Sequence, residues 1–533
     1  MTGESARAGS RRSGPAPATP GGRTGPPPSL RYDRAVPDPV VSPAVPRPAP
    51  RSAAIVNLGC KVNQAEMEAA ARLLREGGVP LFDPDGGADL VIVNTCTVTS
   101  VADEKSRQAV RRARRANPAA RVVVTGCSVQ VDPATYARVD PQAQLVDNDA
   151  KAAFLAELEG LLALGGPDAG HAAPHEPLSA ALPTLSGVEA AFPIDGIADD
   201  RASVERTRAF VKVQDGCSFH CTYCIIPRAR GPERSLAPDE VLADVRRALA
   251  AGHREIVLTG INIGTYDGGW SERGARGSHV RSALTLAGLV RRLLAETDVE
   301  RIRLSSIEVQ HLDDELLGAW AEGGPRTLPH LHLPLQSGDD GVLRRMGRRY
   351  SADEYARATE RARAAIPGVA IHADVIAGFP TEDDAAFERS KEFIRSLDMA
   401  GLHVFRYSAR PGTPATRMAG QVDEATKRAR AAELLAMSAA AREAFARRGL
   451  GTTTRALMEQ RLPDGRWVGH AEDHVLVAVA SRPGDPADLE NAIVTARRVA
   501  LDAEEPERVV GEVLAVGPAS RAVRTPLPAL PHA

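Results

Sequence analysis

Regular alternation of apolar and amphipathic segments begins near residue 53. Short runs rich in valine, isoleucine and leucine occur at 53–58, 89–94 and 121–125. Each is followed by a stretch with helical periodicity, at 64–76, 101–115 and near 133–139. Strands that alternate with helices are typical of parallel sheets. The pattern therefore predicts an α/β fold that starts with an N-terminal open parallel α/β domain.

A second alternating series begins near residue 209. Six apolar runs have the length of buried strands, at 209–214, 255–259, 301–305, 330–335, 370–376 and 402–406. Amphipathic stretches lie between them, at 238–251, 284–297, 313–322 and 383–396. Six such units predict a partial (β/α)6 barrel, whose active site should lie at the carboxyl ends of the strands.

The pattern changes again in the last part of the chain. A helix-rich stretch at about 423–448 precedes five strand-like runs, at 453–460, 466–469, 474–480, 492–500 and 509–516. Five short strands predict a small C-terminal β-barrel. Barrels of this size often bind RNA, and a purely stabilising module is the alternative.

Segments without periodicity separate these regions. Proline, arginine, glycine, serine and alanine dominate the first fifty residues, which contain no apolar core of a secretory signal. The predicted organisation is a disordered arm (1–50), the N-terminal domain (51–163), a linker or insertion (164–202), the barrel with a helical extension (203–448), the small β-barrel (449–517) and a tail (518–533).

Composition narrows the possible partners and location. The 66 basic and 68 acidic residues nearly balance, so any nucleic-acid contact must be local. No apolar run approaches the length of a membrane span, and we expect no membrane partner. In the absence of secretory and membrane signals we expect a cytoplasmic protein, in which thiols stay reduced.

All six cysteines fall into two groups of three. Cys217, Cys221 and Cys224 have the spacing C-x3-C-x2-C, in a loop that follows the first barrel strand. A cubane iron–sulfur cluster normally takes four thiolates, so three thiolates leave one iron open to another ligand. A zinc site with His220 as the fourth ligand is the alternative.

The other group consists of Cys60, Cys96 and Cys127, which each follow one strand of the N-terminal domain. A single cysteine such as Cys96 is more often a small core residue than a ligand. Parallel strands, however, would bring all three to the carboxyl edge of one sheet, where open α/β sheets bind their ligands. The two groups therefore predict two metal sites.

Longer motifs around these cysteines resemble those of a known family. NLGCKVN surrounds Cys60, NTCTVT surrounds Cys96 and TGC ends at Cys127. Together with the spacing at Cys217, they resemble the radical S-adenosylmethionine methylthiotransferases over residues 53–516. The C-terminal barrel stands where that family carries its TRAM RNA-binding domain. GCKVN, LTGI, LPLQSG and FRYS are most similar to the subgroup that modifies threonylcarbamoyladenosine in tRNA.

This resemblance implies two [4Fe-4S] clusters and S-adenosylmethionine as cofactors. The Cys217, Cys221 and Cys224 cluster would cleave S-adenosylmethionine to a radical, and the other cluster would donate sulfur. The implied activity converts N6-threonylcarbamoyladenosine at position 37 of tRNA, next to the anticodon, to its 2-methylthio derivative. The implied partners are tRNA and an electron donor such as flavodoxin or ferredoxin, whereas the sulfur source is not implied.

The family also suggests cofactor contacts at the barrel rim. Tyr223 should lie near the adenine of S-adenosylmethionine. The candidates for its ribose or methionine part are Asn262, Glu308, Gln336 and Ser337, which could equally be strand-end polar residues that bond local backbone. Leu236 stands where family members commonly have arginine, which removes one expected polar contact.

Two basic runs are candidates for RNA contact: Arg107, Arg111, Arg112, Arg114 and Arg115, and Arg344, Arg345, Arg348 and Arg349. Such runs are also common on solvated helix faces. Alternative functions are methylthiolation of isopentenyladenosine in tRNA or of a ribosomal-protein aspartate. An iron–sulfur RNA-binding sensor without catalysis is a further alternative.

Overall fold

The computed structural model describes residues 49–164, 207–271, 280–281 and 284–518. The predicted arm up to residue 48, the insertion from 165 to 206 and the tail from residue 519 lie outside these ranges.

The N-terminal domain is a four-stranded parallel sheet in the order β1-β2-β3-β4. Its elements are β1 (Ala53–Asn57), α1 (Lys61–Glu76), β2 (Leu90–Thr95), α2 (Ser100–Ala116), β3 (Arg121–Gly126), α3 (Cys127–Val131), α4 (Pro133–Val139), β4 (Gln144–Val146) and α5 (Lys151–Leu164). Side chains of the first three strands pack in two separate apolar cores. Burial of both faces explains why these strands read as continuous apolar runs.

Six longer parallel strands form the second region, as two sheets in the orders β11-β8-β5 and β12-β13-β14. The elements are β5 (Arg208–Lys212), β6 (Gln214–Asp215), α6 (Ile226–Arg230), β7 (Arg234–Ser235), α7 (Pro238–Ala250), β8 (Glu255–Thr259), β9 (Trp270–Ser271), β10 (Val280–Arg281), α8 (Leu286–Glu296), β11 (Arg301–Leu304), α9 (Asp314–Glu322), β12 (His330–His332), α10 (Asp340–Met346), α11 (Ala352–Ala365), β13 (Ala370–Ala377), α12 (Asp384–Ser396), β14 (Gly401–Arg406) and α13 (Glu424–Arg448). A bridge between Ser306 and His332 joins the two sheets. The prediction of a partial six-stranded parallel barrel is confirmed.

Side chains alternate between the two faces of this barrel. Ile256, Ile302 and Leu331 lie in the core beneath the surrounding helices. Successive side chains of a strand point to opposite faces, so the adjacent residues Glu255 and Arg301, which are both polar, face the interior. The interior of the barrel is thus lined by charged and histidine side chains.

The predicted C-terminal β-barrel is also confirmed. Its strands form a closed barrel in the order β15-β16-β17-β19-β18. They are β15 (Thr453–Arg461), β16 (Trp467–His470), β17 (Leu476–Val479), β18 (Ile493–Leu501) and β19 (Val509–Val516).

Two buried arginines join the C-terminal barrel to the larger one. Arg301 and Arg303 each donate to Glu255 over 2.7 Å. Arg301 also donates to the carbonyl oxygens of Arg455 and His470, at 2.9 and 3.1 Å. Arg303 donates to the carbonyl of Ala471 at 2.7 Å. Since Glu255 and Arg301 begin their strands, the small barrel packs at the amino ends of the strands, opposite the cysteine loop.

Within the described ranges, none of the helices is both long and apolar enough to cross a bilayer.

Candidate active site

The three N-terminal cysteines lie at the carboxyl edge of the first sheet, as the strand pattern predicted. Cys60 precedes α1, Cys96 follows β2, and Cys127 is the first residue of α3. All six cysteines of the chain are free thiols. Burial raises the pKa of Cys96 to about 12, and the neighbouring Cys127 thiol adds to this effect. Such thiols become thiolates when a metal binds them.

A network of buried asparagines holds the loops that carry these cysteines. The side-chain amide of Asn63 donates to Asn94 Oδ1 at 3.3 Å and to the carbonyl of Thr95 at 3.1 Å. Asn94 in turn donates to Asn57 Oδ1 at 3.2 Å. The hydroxyl of Thr95 also donates to the carbonyl of Thr125 at 2.7 Å, so side chains of the NLGCKVN and NTCTVT motifs tie the ends of β1, β2 and β3 to each other.

Gly126 is required at the last of these strand ends. Its φ of +99° is rarely adopted by residues with a side chain. A Cβ at this position would lie 2.5 Å from both Asn94 Oδ1 and the carbonyl oxygen of Thr95. The close approach of backbone at Gly126 therefore sets the position of Cys127.

The second cysteine group occupies the loop between β6 and α6. Gly216, with φ +73°, begins the loop, where a Cβ would lie 1.9 Å from the carbonyl oxygen of Pro232. Burial raises the pKa of Cys217 to about 11 and raises that of Cys224 further. His220, the alternative zinc ligand, is exposed. Three thiols in one tight loop fit three ligand positions of a cubane cluster.

Arg348 organises one side of this loop. Its guanidinium Nη1 lies 3.5 Å from Cys221 Sγ and 3.4 Å from the hydroxyl of Tyr223. Its Nη2 donates to Glu308. Tyr223 also packs edge-on against Phe379, with 6.3 Å between ring centroids. Glu308 is thus engaged in an ion pair with Arg348, which in turn holds Tyr223 beside the cysteine loop.

The other candidates for cofactor contact at the barrel rim differ in their local hydrogen bonds and backbone conformation. The side-chain nitrogen Nδ2 of Asn262 lies 4.0 Å from Cys217 Sγ. Its Oδ1 is buried with no hydrogen-bond partner among the described residues. Gln336 adopts a φ of +69°, which is uncommon for a residue with a side chain. Ser337 accepts a hydrogen bond from the backbone of Asp339 at 3.2 Å. Asn262 therefore has free capacity for a ligand, whereas Ser337 already bonds local backbone.

Arg230 connects the two cysteine groups. It ends α6, which follows the second group directly, and its Nε lies 3.3 Å from Cys127 Sγ. Its other nitrogens contact Glu66 at 2.9 Å, Asp215 at 3.0 Å and the side chain of Asn63. The nearby Cys127, Glu66 and Asp215 outweigh burial and raise the pKa of Arg230 well above its usual value.

A second connection runs from the loop after β14. Arg410 donates to Thr97 Oγ1 at 2.8 Å and to the carboxylate of Asp103. The backbone nitrogen of Ser100 donates to Ser408 Oγ at 3.1 Å. The N-terminal domain thus contacts both edges of the partial barrel, near its first and its last strand.

Sequence reasoning missed Arg230, Glu66 and Arg348 as parts of the site. Their partners lie up to 167 residues away in the chain, so no local pattern marks them. Arg348 was predicted as an RNA contact, but its side chain is only 3% exposed. Arg114 likewise donates to Asp140 at 3.0 Å and to two carbonyls. Among the other candidates for RNA contact, Arg111, Arg115, Arg344, Arg345 and Arg349 are exposed.

Comparison with known families matches this organisation. Residues 211–394 match the model described as Radical SAM superfamily, and residues 52–147 match that described as Uncharacterized protein family UPF0004. Among solved structures, a radical S-adenosylmethionine methyltransferase, TsrM, of Kitasatospora setae is 16% identical with a TM-score of 0.46, covering 68% of this chain and 75% of that one.

Individual curated relatives align over most of the chain. Threonylcarbamoyladenosine tRNA methylthiotransferase MtaB of Bacillus subtilis (strain 168) is 38% identical over 381 residues, which cover 72% of this chain and 79% of the relative. The protein of the same name from Thermotoga maritima is 34% identical, with 79% and 89% covered. A tRNA-2-methylthio-N(6)-dimethylallyladenosine synthase of Maricaulis maris is also 34% identical, with 76% and 86% covered.

Two cysteine sites at the mouth of a partial parallel barrel, together with these matches, define a radical S-adenosylmethionine enzyme. The chain belongs to the radical S-adenosylmethionine methylthiotransferase family. The prediction of S-adenosylmethionine and two [4Fe-4S] clusters as cofactors is confirmed with it.

Proposed function

We propose that this enzyme converts N6-threonylcarbamoyladenosine next to the anticodon of tRNA to its 2-methylthio derivative. The observation that carries the proposal is the pair of three-cysteine sites, which Arg230 joins through its contacts to Cys127 and Asp215. A reaction that uses two cofactor clusters on one substrate needs both at one opening, and this contact supports such an arrangement.

The ligand assignment follows the two groups. Cys217, Cys221 and Cys224 would hold the cluster that binds S-adenosylmethionine, and the cysteines that would hold the other cluster are Cys60, Cys96 and Cys127. When bound, these groups supply the radical, the sulfur and the methyl group that the reaction needs. The chain itself orients them and excludes water.

Individual side chains then have distinct tasks. Asn262, with its unpartnered buried Oδ1, can accept a hydrogen bond from the amino group of S-adenosylmethionine. Arg348 and Glu308 hold Tyr223 at the loop, where its ring would contact the adenine. Gln336 and Ser337 shape the backbone after β12, so we propose that they support the cofactor pocket mainly through the chain path.

Three relatives that are named for threonylcarbamoyladenosine support this substrate. They align with this chain over 79 to 90% of their own length. The second candidate is dimethylallyladenosine, which the names of relatives at 34% identity favour. We further propose that a small redox protein of the flavodoxin or ferredoxin type supplies the electron.

The test is a parallel assay with purified, anaerobically reconstituted enzyme. One tRNA carries threonylcarbamoyladenosine and the other carries dimethylallyladenosine at the same position, and nucleosides are measured by mass spectrometry. We expect the methylthio product only from the first. Product from the second tRNA alone would refute the substrate assignment, and no product from either would refute the proposed activity.

A further inference from the structure

Three side chains inside the large barrel converge on one point. His332 lies on β12, Asp374 on β13 and His403 on β14. Asp374 and His403 are direct cross-strand neighbours, and His332 pairs with His372, two residues before Asp374. Strands fix side-chain positions better than loops do, so the cluster is held by rigid elements.

Their polar atoms are as close as metal ligands. Nε2 of His332 lies 2.7 Å from Asp374 Oδ1. Nδ1 of His403 lies 3.3 Å from that same oxygen and 3.3 Å from Nε2 of His332. Zinc–nitrogen and zinc–oxygen bonds of about 2.0–2.2 Å place neighbouring ligands of a tetrahedral ion about 3.3 Å apart. Only His332 Nε2 and Asp374 Oδ1, which are 2.7 Å apart, have to separate slightly to admit an ion.

The donor set also suits a metal. One carboxylate and two imidazoles supply oxygen and nitrogen donors, which zinc binds in proteins. Carboxylate and neutral imidazole are the forms that bind metal ions.

The cluster is not fully enclosed by protein atoms. The side chains of His332, Asp374 and His403 are 11%, 18% and 15% exposed. Three protein ligands also leave a coordination position for water or another oxygen ligand.

We propose that His332, Asp374 and His403 bind one divalent transition-metal ion, of the zinc class, inside the barrel. The site contains no sulfur. It does not depend on which tRNA nucleoside the enzyme modifies. The competing interpretation is a purely structural network, in which one carboxylate oxygen accepts hydrogen bonds from two imidazoles.

The test uses the full-length enzyme reconstituted with iron and sulfide, incubated with Zn²⁺ and then desalted. Elemental analysis should find about one zinc per chain, and zinc-edge X-ray absorption should show only nitrogen and oxygen neighbours at about 2.0–2.2 Å. Asp374→Asn and His403→Gln should each lose this zinc while keeping the iron content of the wild type. His372→Gln is the matched control, because its ring centroid lies 5.9 Å from that of His403 but it supplies no ligand.

Zinc could also occupy empty cysteine sites, which the spectra distinguish. Sulfur neighbours at about 2.3 Å, or zinc retained in both Asp374→Asn and His403→Gln, would overturn the proposal. Absence of tightly bound zinc from the wild type would overturn it as well, and would favour the hydrogen-bonded network. If Asp374→Asn alone fails to fold, His403→Gln and the wild-type absorption spectrum still decide.

Discussion

The Nε atom of Arg230 lies 3.3 Å from the Sγ atom of Cys127, although the two residues are 103 positions apart in the chain. Arg230 belongs to the large barrel and Cys127 to the N-terminal domain. Hydrogen bonds to cluster sulfurs are among the factors that set the reduction potential of an iron–sulfur cluster. One side chain therefore joins the two domains and would influence the reduction potential of a cluster bound by Cys60, Cys96 and Cys127.

Replacement of Arg230 by glutamine should change both the reduction potential of the N-terminal cluster and the stability of the protein. Loss of a positive charge and a donor favours the oxidised cluster, so the potential of the N-terminal cluster should fall. Glu66 and Asp215 also lose a buried partner, which should cost on the order of 3 kcal/mol of stability. Redox titration followed by electron paramagnetic resonance and thermal unfolding measure the two effects.

The matched control is Arg234→Gln. Arg234 contacts the same Asp215 at 3.4 Å, but its side chain is 45% exposed and it makes no contact with Cys127 among the described hydrogen bonds. This variant should leave the potential unchanged. An equal shift in both variants would show that Arg230 acts through general charge rather than through Cys127.

Gly126→Ala should disrupt the first site selectively. The new Cβ would lie 2.5 Å from the backbone oxygen of Thr95, which cannot move without displacing β2. Iron content should fall from about eight to about four per chain, since only the second cluster would still assemble. Gly451→Ala serves as control, because Gly451 also has positive φ but a Cβ there meets nothing within 4 Å. Equal iron loss in both variants would contradict this account.

The two cysteine groups should have separable roles. An enzyme with Cys60, Cys96 and Cys127 changed to alanine should retain about four iron per chain and still cleave S-adenosylmethionine under reduction, but make no methylthio product. The reciprocal triple variant at Cys217, Cys221 and Cys224 should neither cleave S-adenosylmethionine nor make methylthio product. Chromatography of cleavage products and tRNA nucleosides distinguishes the two, and full methylthiolation by the first variant would refute the assigned role.

Glu255→Gln should lower stability in a pH-dependent way. Burial alone would raise the pKa of Glu255, but Arg303 and Arg301 lower it to about 2, below its ordinary value of 4.5. The ionised carboxylate thus contributes stability above about pH 4.5, and this contribution disappears as pH falls toward 2. The variant should be about 3 kcal/mol less stable at pH 7, with a smaller difference at pH 3.

Urea unfolding of iron-free wild type and variant at both pH values measures this difference. Iron-free samples are chosen because acid also releases cluster iron. Glu300→Gln is a suitable control, since Glu300 pairs with Arg254 at the surface and its side chain is 40% exposed. A constant difference between wild type and Glu255→Gln at both pH values would contradict the assigned cause.

The sequence was sufficient for elements whose signal is local. The strands that end near Cys60, Cys96 and Cys127 were predicted within about one residue, because both faces of that sheet are buried and the runs are continuous. The closed C-terminal barrel followed from strand length and turn residues. By contrast, β4 has three residues and carries no periodicity, so it was missed. The bounds of the helices α10 and α11, which follow the fourth barrel strand, were not predicted.

The site was predictable only where motifs are contiguous. The cysteine spacing pointed to both metal sites, but Arg230 gains its role from partners on three separate segments. Arg348 was misassigned because a run of arginines has the same composition whether it faces solvent or a buried glutamate. No sequence pattern marked His332, Asp374 and His403 as a cluster, because only the strand register places His403 beside Asp374.

The contact between Arg303 and Ala471 also constrains when the enzyme can mature. The carbonyl that accepts from Arg303 comes 168 residues later in the chain, so a ribosome making the last barrel strand has not yet made it. Until then, Arg301 and Arg303 lack partners that the finished protein supplies. The barrel therefore reaches its final stability only after nearly the whole chain has left the ribosome.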